Sequence, residues 1–292
     1  MRIGWIGLGA MGAPMARRLA AAGHDVTGYD VSGAARRTAG VPVAGSVRSA
    51  ARDAAVLFVM VATPAQAREA VSGPDGALAA LGPGAVVVVT ATIGPDAMTE
   101  LAGQIAAAGA AVIDAPVSGG TARAAAGDLL MMAAGGSDAL ARARPALAAL
   151  ASQLAVVGTR PGDGQRMKLV NQLLCGVHIA AAAEALALAG AIGLDPRQCW
   201  ETLGHGAAAS FMLADRGARM LAGDFGDVRS AADIFTKDMG LVTDAARRAG
   251  QPAPLAAAAG DLFGRATAAG LGRQDDAGVI RLYQEPDPRP GP

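Results

Sequence analysis

The sequence predicts an α/β chain in three parts. A doubly wound, parallel-sheet domain covers residues 1–161, a connecting helix 162–193, and a smaller all-α domain 194–283, with a flexible tail at 284–292. Three observations carry this reading. Up to about residue 160, short apolar runs of strand length alternate with helical stretches, the pattern of strand–helix–strand units. Residues 164–192 then form one Ala-rich run without proline. After that run no strand pattern returns.

Taken in order, residues 2–6 read as a strand and 11–22 as a helix that stops at Gly23. Residues 24–29 are a second strand, followed by a short helix that Ser32 would cap and whose solvated face carries Arg36 and Arg37. The apolar runs 56–61, 85–89 and 111–114 are strands, with helical patterns at 65–71 and 96–108. Two more strands, 129–133 and 154–157, complete the sheet. Thr159-Arg160-Pro161-Gly162 punctuates the chain. The helix that follows spans about 40 Å at ~1.5 Å per residue, the width of a domain. The last nine residues hold four prolines and are expected to fray.

Composition narrows the function classes. The chain has 292 residues, 52% of them hydrophobic, and so can bury a sizeable core. Its formal net charge is +0, which removes any electrostatic case for nucleic acid or an anionic membrane. A small anionic substrate needs only local charge and stays open. The apolar start, residues 3–15, resembles a signal peptide, yet its glycines and strand–turn–helix pattern speak against one. No run is expected to reach the ~18 apolar residues of a membrane span. Cys175 and Cys199 make no disulfide framework, and with three scattered histidines they suggest no metal site. A reduced, cytoplasmic compartment fits.

Gly7-Leu8-Gly9-Ala10-Met11-Gly12 is a G-x-G-x-x-G motif between a strand and a helix, the context of a Rossmann-type dinucleotide site. Gly7 allows the tight turn, Gly9 lets a pyrophosphate approach the backbone, and Gly12 lets helix and strand pack closely. The helix N-terminus supplies N–H groups and the positive end of the dipole. Asp30 stands 18 positions after Gly12, where a carboxylate can accept from a ribose 2′-hydroxyl. A 2′-phosphate would meet a like charge, at about 3 kcal/mol per unit charge for ~5 Å and an effective dielectric of ~20. NAD is therefore expected in preference to NADP, even though Arg36 and Arg37 could hold a phosphate. Met11 and Thr63 join the expected cofactor contacts. A methyltransferase can present the same turn and acidic strand end, so residues further along must decide.

Three segments carry polar groups where a substrate could sit. In Asp114-Ala115-Pro116-Val117-Ser118-Gly119-Gly120, Ser118 offers a hydroxyl, while Gly119 and Gly120 can point N–H groups at a carboxylate. On the long helix, Lys168, Asn171 and Gln172 stand at i, i+3 and i+4 on one face, continued by Cys175 and His178. In an Ala/Leu-rich helix such a lysine is partly desolvated, which lowers its pKa and suits it to accept a proton. A snorkelling surface lysine would give the same spacing. Asp233-Ile234-Phe235-Thr236-Lys237-Asp238-Met239 adds a Lys–Asp pair, which is also the pattern of a surface ion pair.

Together these motifs resemble the β-hydroxyacid dehydrogenase family, which includes the 3-hydroxyisobutyrate dehydrogenases, over nearly the whole chain to about residue 283. The resemblance rests on the glycine motif with Met15 following, on residues 114–120, on Gly164-Gln165-Arg166-Met167-Lys168 leading to Asn171, and on Lys237-Asp238. It implies that Lys168 is the acid–base residue and that Asn171 holds the substrate and orients the lysine. Ser118, Gly119 and Gly120 would bind the substrate carboxylate. Thr92 would touch the nicotinamide side, and Lys237 would lie by the cofactor. The chain departs from the family in having Gln172 where a second asparagine is common, and Ala91-Thr92 in place of Ser-Thr. Residues 171–180, with Asp233-Ile234-Phe235, are similar to the threonate dehydrogenase branch, which would give Gln172 and His178 contact with substrate hydroxyls. Family habit also implies a homodimer or homotetramer.

The expected reaction is NAD-dependent oxidation of a small hydroxy-carboxylic acid, with a four-carbon sugar acid such as threonate in first place. A 3-hydroxyisobutyrate dehydrogenase, a semialdehyde or imine reductase, and a catalytically silent dinucleotide binder are the alternatives. The lysine argues against the silent binder, Asp30 against NADP-preferring reductases, and the three later motifs against a methyltransferase.

Overall fold

The computed structural model describes residues 1–284, so the expected tail lies, beyond Gln284, outside the described residues. The chain forms two compact units that divide between Lys168 and Leu169.

Unit 1 holds β1 (Arg2–Ile6), β2 (Asp25–Tyr29), β3 (Val56–Val59), β4 (Val86–Val89), β5 (Ala111–Asp114), β6 (Val117–Ser118), β7 (Leu129–Gly135) and β8 (Ala151–Gly158). They form one sheet in the order β2-β1-β3-β4-β5-β7-β6, with β8 paired to β7. The helices between them are α1 (Gly12–Ala21), α2 (Gly33–Thr38), α3 (Val47–Ala51), α4 (Pro64–Ser72), α5 (Pro95–Ala107), α6 (Gly120–Ala126) and α7 (Ser137–Leu150). The first five strands are parallel. However, β7 runs antiparallel to β5 and β8 parallel to β7, which corrects the expectation of a wholly parallel sheet. Residues 115–128 go into β6 and the seven-residue α6 beyond the sheet edge. They make no crossover of the length a parallel return needs, so the chain re-enters from the end at which it left.

Alternation along the strands builds two cores. Val56, Phe58, Val86 and Val88 face one side with Trp5, Met15, Leu19 and Leu147. Leu57, Val59, Val87 and Val89 face the other with Val71, Met98 and Ile105. Side chains successive in a strand point to opposite faces, and both faces are covered, so these strands are continuously apolar. Thr63 caps α4 through a capping box with Gln66, with Pro64 at its start.

The helix α8 (Asp163–Ala191) begins in unit 1 and continues as the first helix of unit 2. It is followed by α9 (Pro196–Leu203), α10 (Phe211–Ala222), α11 (Ala232–Arg248), α12 (Pro254–Ala268) and α13 (Arg281–Gln284). Among the described residues no strand follows β8, apart from one isolated bridge between Ala231 and Asp275. Leu169, Ile179, Ala183 and Leu186 of α8 pack with Met239, Leu262 and Phe263 in the core of unit 2. The rings of Phe235 and Phe263 stack there, with 5.1 Å between centroids. By length and composition α8 could cross a membrane, with a mean hydropathy of 1.8 over its most apolar stretch. The sequence reading expected no such run, and Asn171, Gln172, His178 and Glu184 do interrupt it. Its alanines, leucines and valines outweigh them in the average, and a third of the stretch is buried in protein.

Candidate active site

In unit 1 the predicted residues gather at the C-terminal ends of the parallel strands. The order β2-β1-β3 reverses at β1, and ligands of such sheets bind in the crevice at that reversal. Gly7, at this point, has φ +95°, and a Cβ on it would lie 2.0 Å from the Met60 carbonyl oxygen. A Cβ on Gly12 would fall 1.9 Å from the Gly7 oxygen. A Cβ on Gly9 would meet nothing within 4 Å. Two glycines are thus demanded by the fold, while the third leaves open space beside the start of α1, as a pyrophosphate cradle requires. Met11, half-buried, stands at the N-cap position just before α1.

Two side chains brace this loop. Trp5, stacked on Phe58, donates its buried indole N–H to the Gly7 carbonyl at 2.7 Å. Sequence reasoning placed Trp5 only within the first strand; a tryptophan two residues before the motif's first glycine was the available signal. Asp30 accepts from the Leu8 N–H through Oδ2 and from the Ser32 N–H through Oδ1, each at 2.7 Å. A carboxylate has about four acceptor sites, so Asp30 can brace the loop and still receive ribose hydroxyls. Ser32 caps α2 as expected. The Arg36 guanidinium lies 5.5 Å over the Tyr29 ring and donates to the Asp30 carbonyl at 2.5 Å.

Thr63 and Thr92 follow β3 and β4 at the same sheet edge. Thr63 engages its hydroxyl in capping α4. Ala91, where the family pattern has a hydroxyl, is fully buried, so a hydroxyl there would enter the core. Ser118 ends β6, and Gly119 and Gly120 follow at the start of α6, all three half-buried.

Asp114 and Gln165 hold the start of α8 on this edge. Gln165 Oε1 accepts from the Ile93 and Gly94 N–H groups at 2.9 and 3.0 Å. Its Nε2 donates to the Ala91 carbonyl at 3.1 Å and to Asp114 Oδ1 at 2.8 Å. Asp114 Oδ2 accepts from the Gly162 and Gln165 N–H groups. Burial pushes the Asp114 carboxyl above its ordinary pKa, and these hydrogen bonds pull the other way. Gly164 makes the approach feasible, because a Cβ there would lie 2.6 Å from the Met132 oxygen. Sequence reasoning missed this network. The signal was a glutamine directly after Gly162-Asp163-Gly164 at a helix start, which it used only as the approach to Lys168. Lys168 follows Gln165 by about one turn and is buried, at 6% exposure, as the apolar helix led one to expect.

In unit 2, Asn171, Gln172, Lys237 and Asp238 come together. Asn171 Nδ2 donates to Gln172 Oε1 at 2.8 Å and to Cys175 Sγ at 3.4 Å. Gln172 Nε2 donates to Asp238 Oδ2, and Lys237 Nζ lies 3.1 Å from Asp238 Oδ1. The Lys–Asp pair is no exposed ion pair: the Asp238 side chain is 2% exposed. His178 stands elsewhere, exposed at the rim of a hollow of about 510 Å³ that Trp200, Leu203 and Leu213 also line.

Comparison with known proteins follows the same two parts. The profile of the NAD binding domain of 6-phosphogluconate dehydrogenase matches residues 2–158. That described as NAD-binding of NADP-dependent 3-hydroxyisobutyrate dehydrogenase matches residues 162–283. The L-threonate dehydrogenase of Cupriavidus necator is 42% identical over 286 residues, 96% of this chain and 95% of that protein. A crystal structure of 3-hydroxyisobutyrate dehydrogenase from Salmonella typhimurium superposes with TM-score 0.90 at 38% identity, covering 96% of this chain and 99% of that one. Psf3 in complex with NADP+ and 2-OPP superposes with TM-score 0.87 at 28% identity, covering 96% and 99%.

Proposed function

The chain belongs to the β-hydroxyacid dehydrogenase family, that of 3-hydroxyisobutyrate dehydrogenase, and is an NAD(P)-binding hydroxyacid dehydrogenase acting on a CH–OH group; on that premise we propose that it uses NAD to oxidise a four-carbon sugar acid of the threonate kind. The observation that carries the reaction is Lys168, an amine buried in an apolar helix one turn beyond a fully bonded anchor. Support for threonate is the 42% identity to a relative of that name. Support for NAD is Asp30, a carboxylate just past the end of β2 and bonded to the glycine loop, which would repel a 2′-phosphate held beside it. The relatives and neighbours include an NADP-dependent enzyme and an NADP+ complex, so the choice between the two cofactors rests on Asp30 alone.

In this reading Gly7, Gly9, Met11 and Gly12 cradle the pyrophosphate, Asp30 accepts from the ribose, and Thr63, Thr92 and Lys237 border the cofactor. Ser118 and the N–H groups of Gly119 and Gly120 hold the substrate carboxylate. Asn171 holds a substrate oxygen and orients Lys168, which takes the proton of the reacting hydroxyl. The bound nicotinamide supplies the hydride acceptor. The working form is a homodimer or homotetramer. Leu188, Ile192, Leu194 and Leu203 are exposed apolar side chains around one hollow, a mark of an association surface. The compartment is the reducing cytoplasm, in keeping with two cysteines that form no disulfide.

NADH formation with L-threonate, D-threonate, erythronate, glycerate, 3-hydroxyisobutyrate and 3-hydroxypropionate tests the assignment. Activity confined to four-carbon sugar acids supports it. Activity on 3-hydroxyisobutyrate alone keeps the family and discards the substrate. Light scattering tests the assembly, and a monomer at working concentration refutes it.

A further inference from the structure

Gln165 spends its whole amide on two parts of unit 1. An amide oxygen has two lone pairs and an NH₂ two hydrogens. Oε1 accepts from the Ile93 and Gly94 N–H groups, and Nε2 donates to the Ala91 carbonyl and to Asp114 Oδ1. Backbone N–H groups only donate and a carbonyl only accepts, so the amide has a single workable orientation. The three backbone partners flank Thr92 on both sides, and peptide planes held before and after a residue fix where its side chain starts. The fourth bond ends on Asp114, whose other oxygen accepts from the Gly162 and Gln165 N–H groups at the first turn of α8. Lys168 comes three residues later, one turn along the same helix face. Gln165, Asp114 and Ala91 are wholly buried and Ile93 is 1% exposed, so the network is satisfied within the protein, an arrangement that is stiff.

The geometry points to Gln165 as a positioning residue that sets the two acceptors of the reaction against each other, the nicotinamide bordered by Thr92 and the amine of Lys168. This rests on the reading of Thr92 as a cofactor contact and of Lys168 as the proton acceptor. Oxidation of a carbinol breaks a C–H bond, whose electron pair leaves with the hydrogen as hydride to the nicotinamide. It also breaks the O–H bond on the same carbon, whose proton goes to the lysine, and the C–O bond becomes double. Two acceptors must therefore stand in register on one substrate group. An error of about 1 Å in such a placement costs on the order of 100-fold in rate. The bond to Asp114 would by itself anchor the helix start. The three bonds around Thr92 add nothing to that anchor, and they tie the lysine's helix to the cofactor edge.

The test follows single-turnover hydride transfer from L-threonate, counted per NAD bound by calorimetry. It compares the wild type, Gln165→Met, the double variant Gln165→Glu with Asp114→Asn, and Lys168→Ala. Gln165→Met keeps the length of the side chain and removes all four bonds. The rate per bound NAD should fall by about 10–100-fold while the Kd for NAD stays within about threefold, because the glycine loop is braced from β1 and β2. In the double variant donor and acceptor change places across the contact between positions 114 and 165, and the bonds from Ile93 and Gly94 remain. Its rate should return to within about fivefold of wild type. A purely structural role would lower stability and the number of NAD-binding molecules but leave the rate per bound NAD unchanged, and that result overturns the proposal. So does a double variant as slow as Gln165→Met. Normal turnover by Lys168→Ala removes the reading of the lysine, and the inference goes with it. If Lys168→Ala is slow and Gln165→Met costs the same factor again in that background, the reading stands and the coupling falls. Crystals with NAD give a readout without turnover. The distance from Lys168 Nζ to nicotinamide C4 should change by about 0.5–1 Å in Gln165→Met and return in the double variant, and an unchanged distance refutes the proposal. Should Gln165→Met fail to fold, Gln165→Glu alone takes its place, since it keeps the Ile93 and Gly94 bonds and sets two carboxyl groups face to face.

Discussion

Gln165 Nε2 donates to Asp114 Oδ1 at 2.8 Å, and both side chains are wholly shielded from solvent. The pair joins the end of β5 to the first turn of α8, and Lys168 is carried on the next turn. Replacing Gln165 with leucine strands the Ile93 and Gly94 N–H groups, the Ala91 carbonyl and one carboxylate oxygen. At about 1–3 kcal/mol for each unsatisfied buried group, partly relieved by water, a loss of roughly 3–5 kcal/mol is expected. Urea unfolding measures it, and a loss under about 1 kcal/mol would show that the network relaxes at little cost.

Asp114 gives this network a pH signature. Its carboxyl is raised, chiefly by burial, so the folded chain holds that proton more tightly than the unfolded chain. Its contribution to stability is therefore largest below the unfolded pKa of about 3.9 and declines as pH rises to the folded value. Asp114→Asn removes this decline. Urea midpoints taken from about pH 4 upward should flatten in the variant relative to wild type, and parallel curves would mean that Asp114 does not titrate there.

Lys168→Ala should lower turnover by about 10²–10⁴ and leave NAD affinity within a few-fold. Single-turnover kinetics and calorimetry read the two separately. A variant with normal turnover would remove Lys168 from the proton path.

Asp30→Asn keeps one acceptor oxygen for the loop and removes the charge. The ratio of kcat/KM for NADP over NAD should rise by roughly 10–100-fold, the equivalent of lifting a repulsion of up to about 3 kcal/mol. An unchanged ratio would place the ribose away from Asp30 and withdraw the case for NAD.

In unit 2, Arg216 and Asp276 form a buried, bidentate pair at 3.1 and 3.0 Å. Burial opposes the charge on Arg216, and the neighbouring Asp276 outweighs it, so the guanidinium pKa is raised. Arg216→Met takes its bidentate partner from the buried Asp276 carboxylate, leaving it only Arg219 at 3.6 Å, and should cost about 3–5 kcal/mol. Arg216→Met with Asp276→Leu should recover much of it. If the double variant is no more stable than the single one, the pair contributes more than mutual neutralisation.

Much of this architecture was legible without coordinates. Gly7, Gly9 and Gly12 could be assigned their uses because a φ of +95° and a Cβ clash are local consequences of a strand turning directly into a helix. Thr63-Pro64-Ala65-Gln66 spells a capping box at the start of α4, although the sequence reading took Thr63 only as a cofactor contact and placed the helical pattern at 65–71. The reversal of β7 was not legible. Leu129–Gly135 is equally apolar in either direction, and direction is set by where the chain re-enters the sheet. Ala91 could be seen to lack a hydroxyl, but its position in the core could not.

The sequence by itself determined the two-part plan, the dinucleotide loop, the acid at the end of β2 and the lysine on a long apolar helix. Each depends on spacing within a few residues, where periodicity and turn chemistry act. The tertiary structure decided the partners of the polar side chains. Asp114 and Gln165 read as solvent-facing or substrate-facing until a distance of 51 positions is closed, and Gln172 and Asp238 until 66 are. An amide or a carboxylate has the same bonding capacity in water, at a ligand or in a buried network. Only the packing that excludes water settles which of these satisfies it.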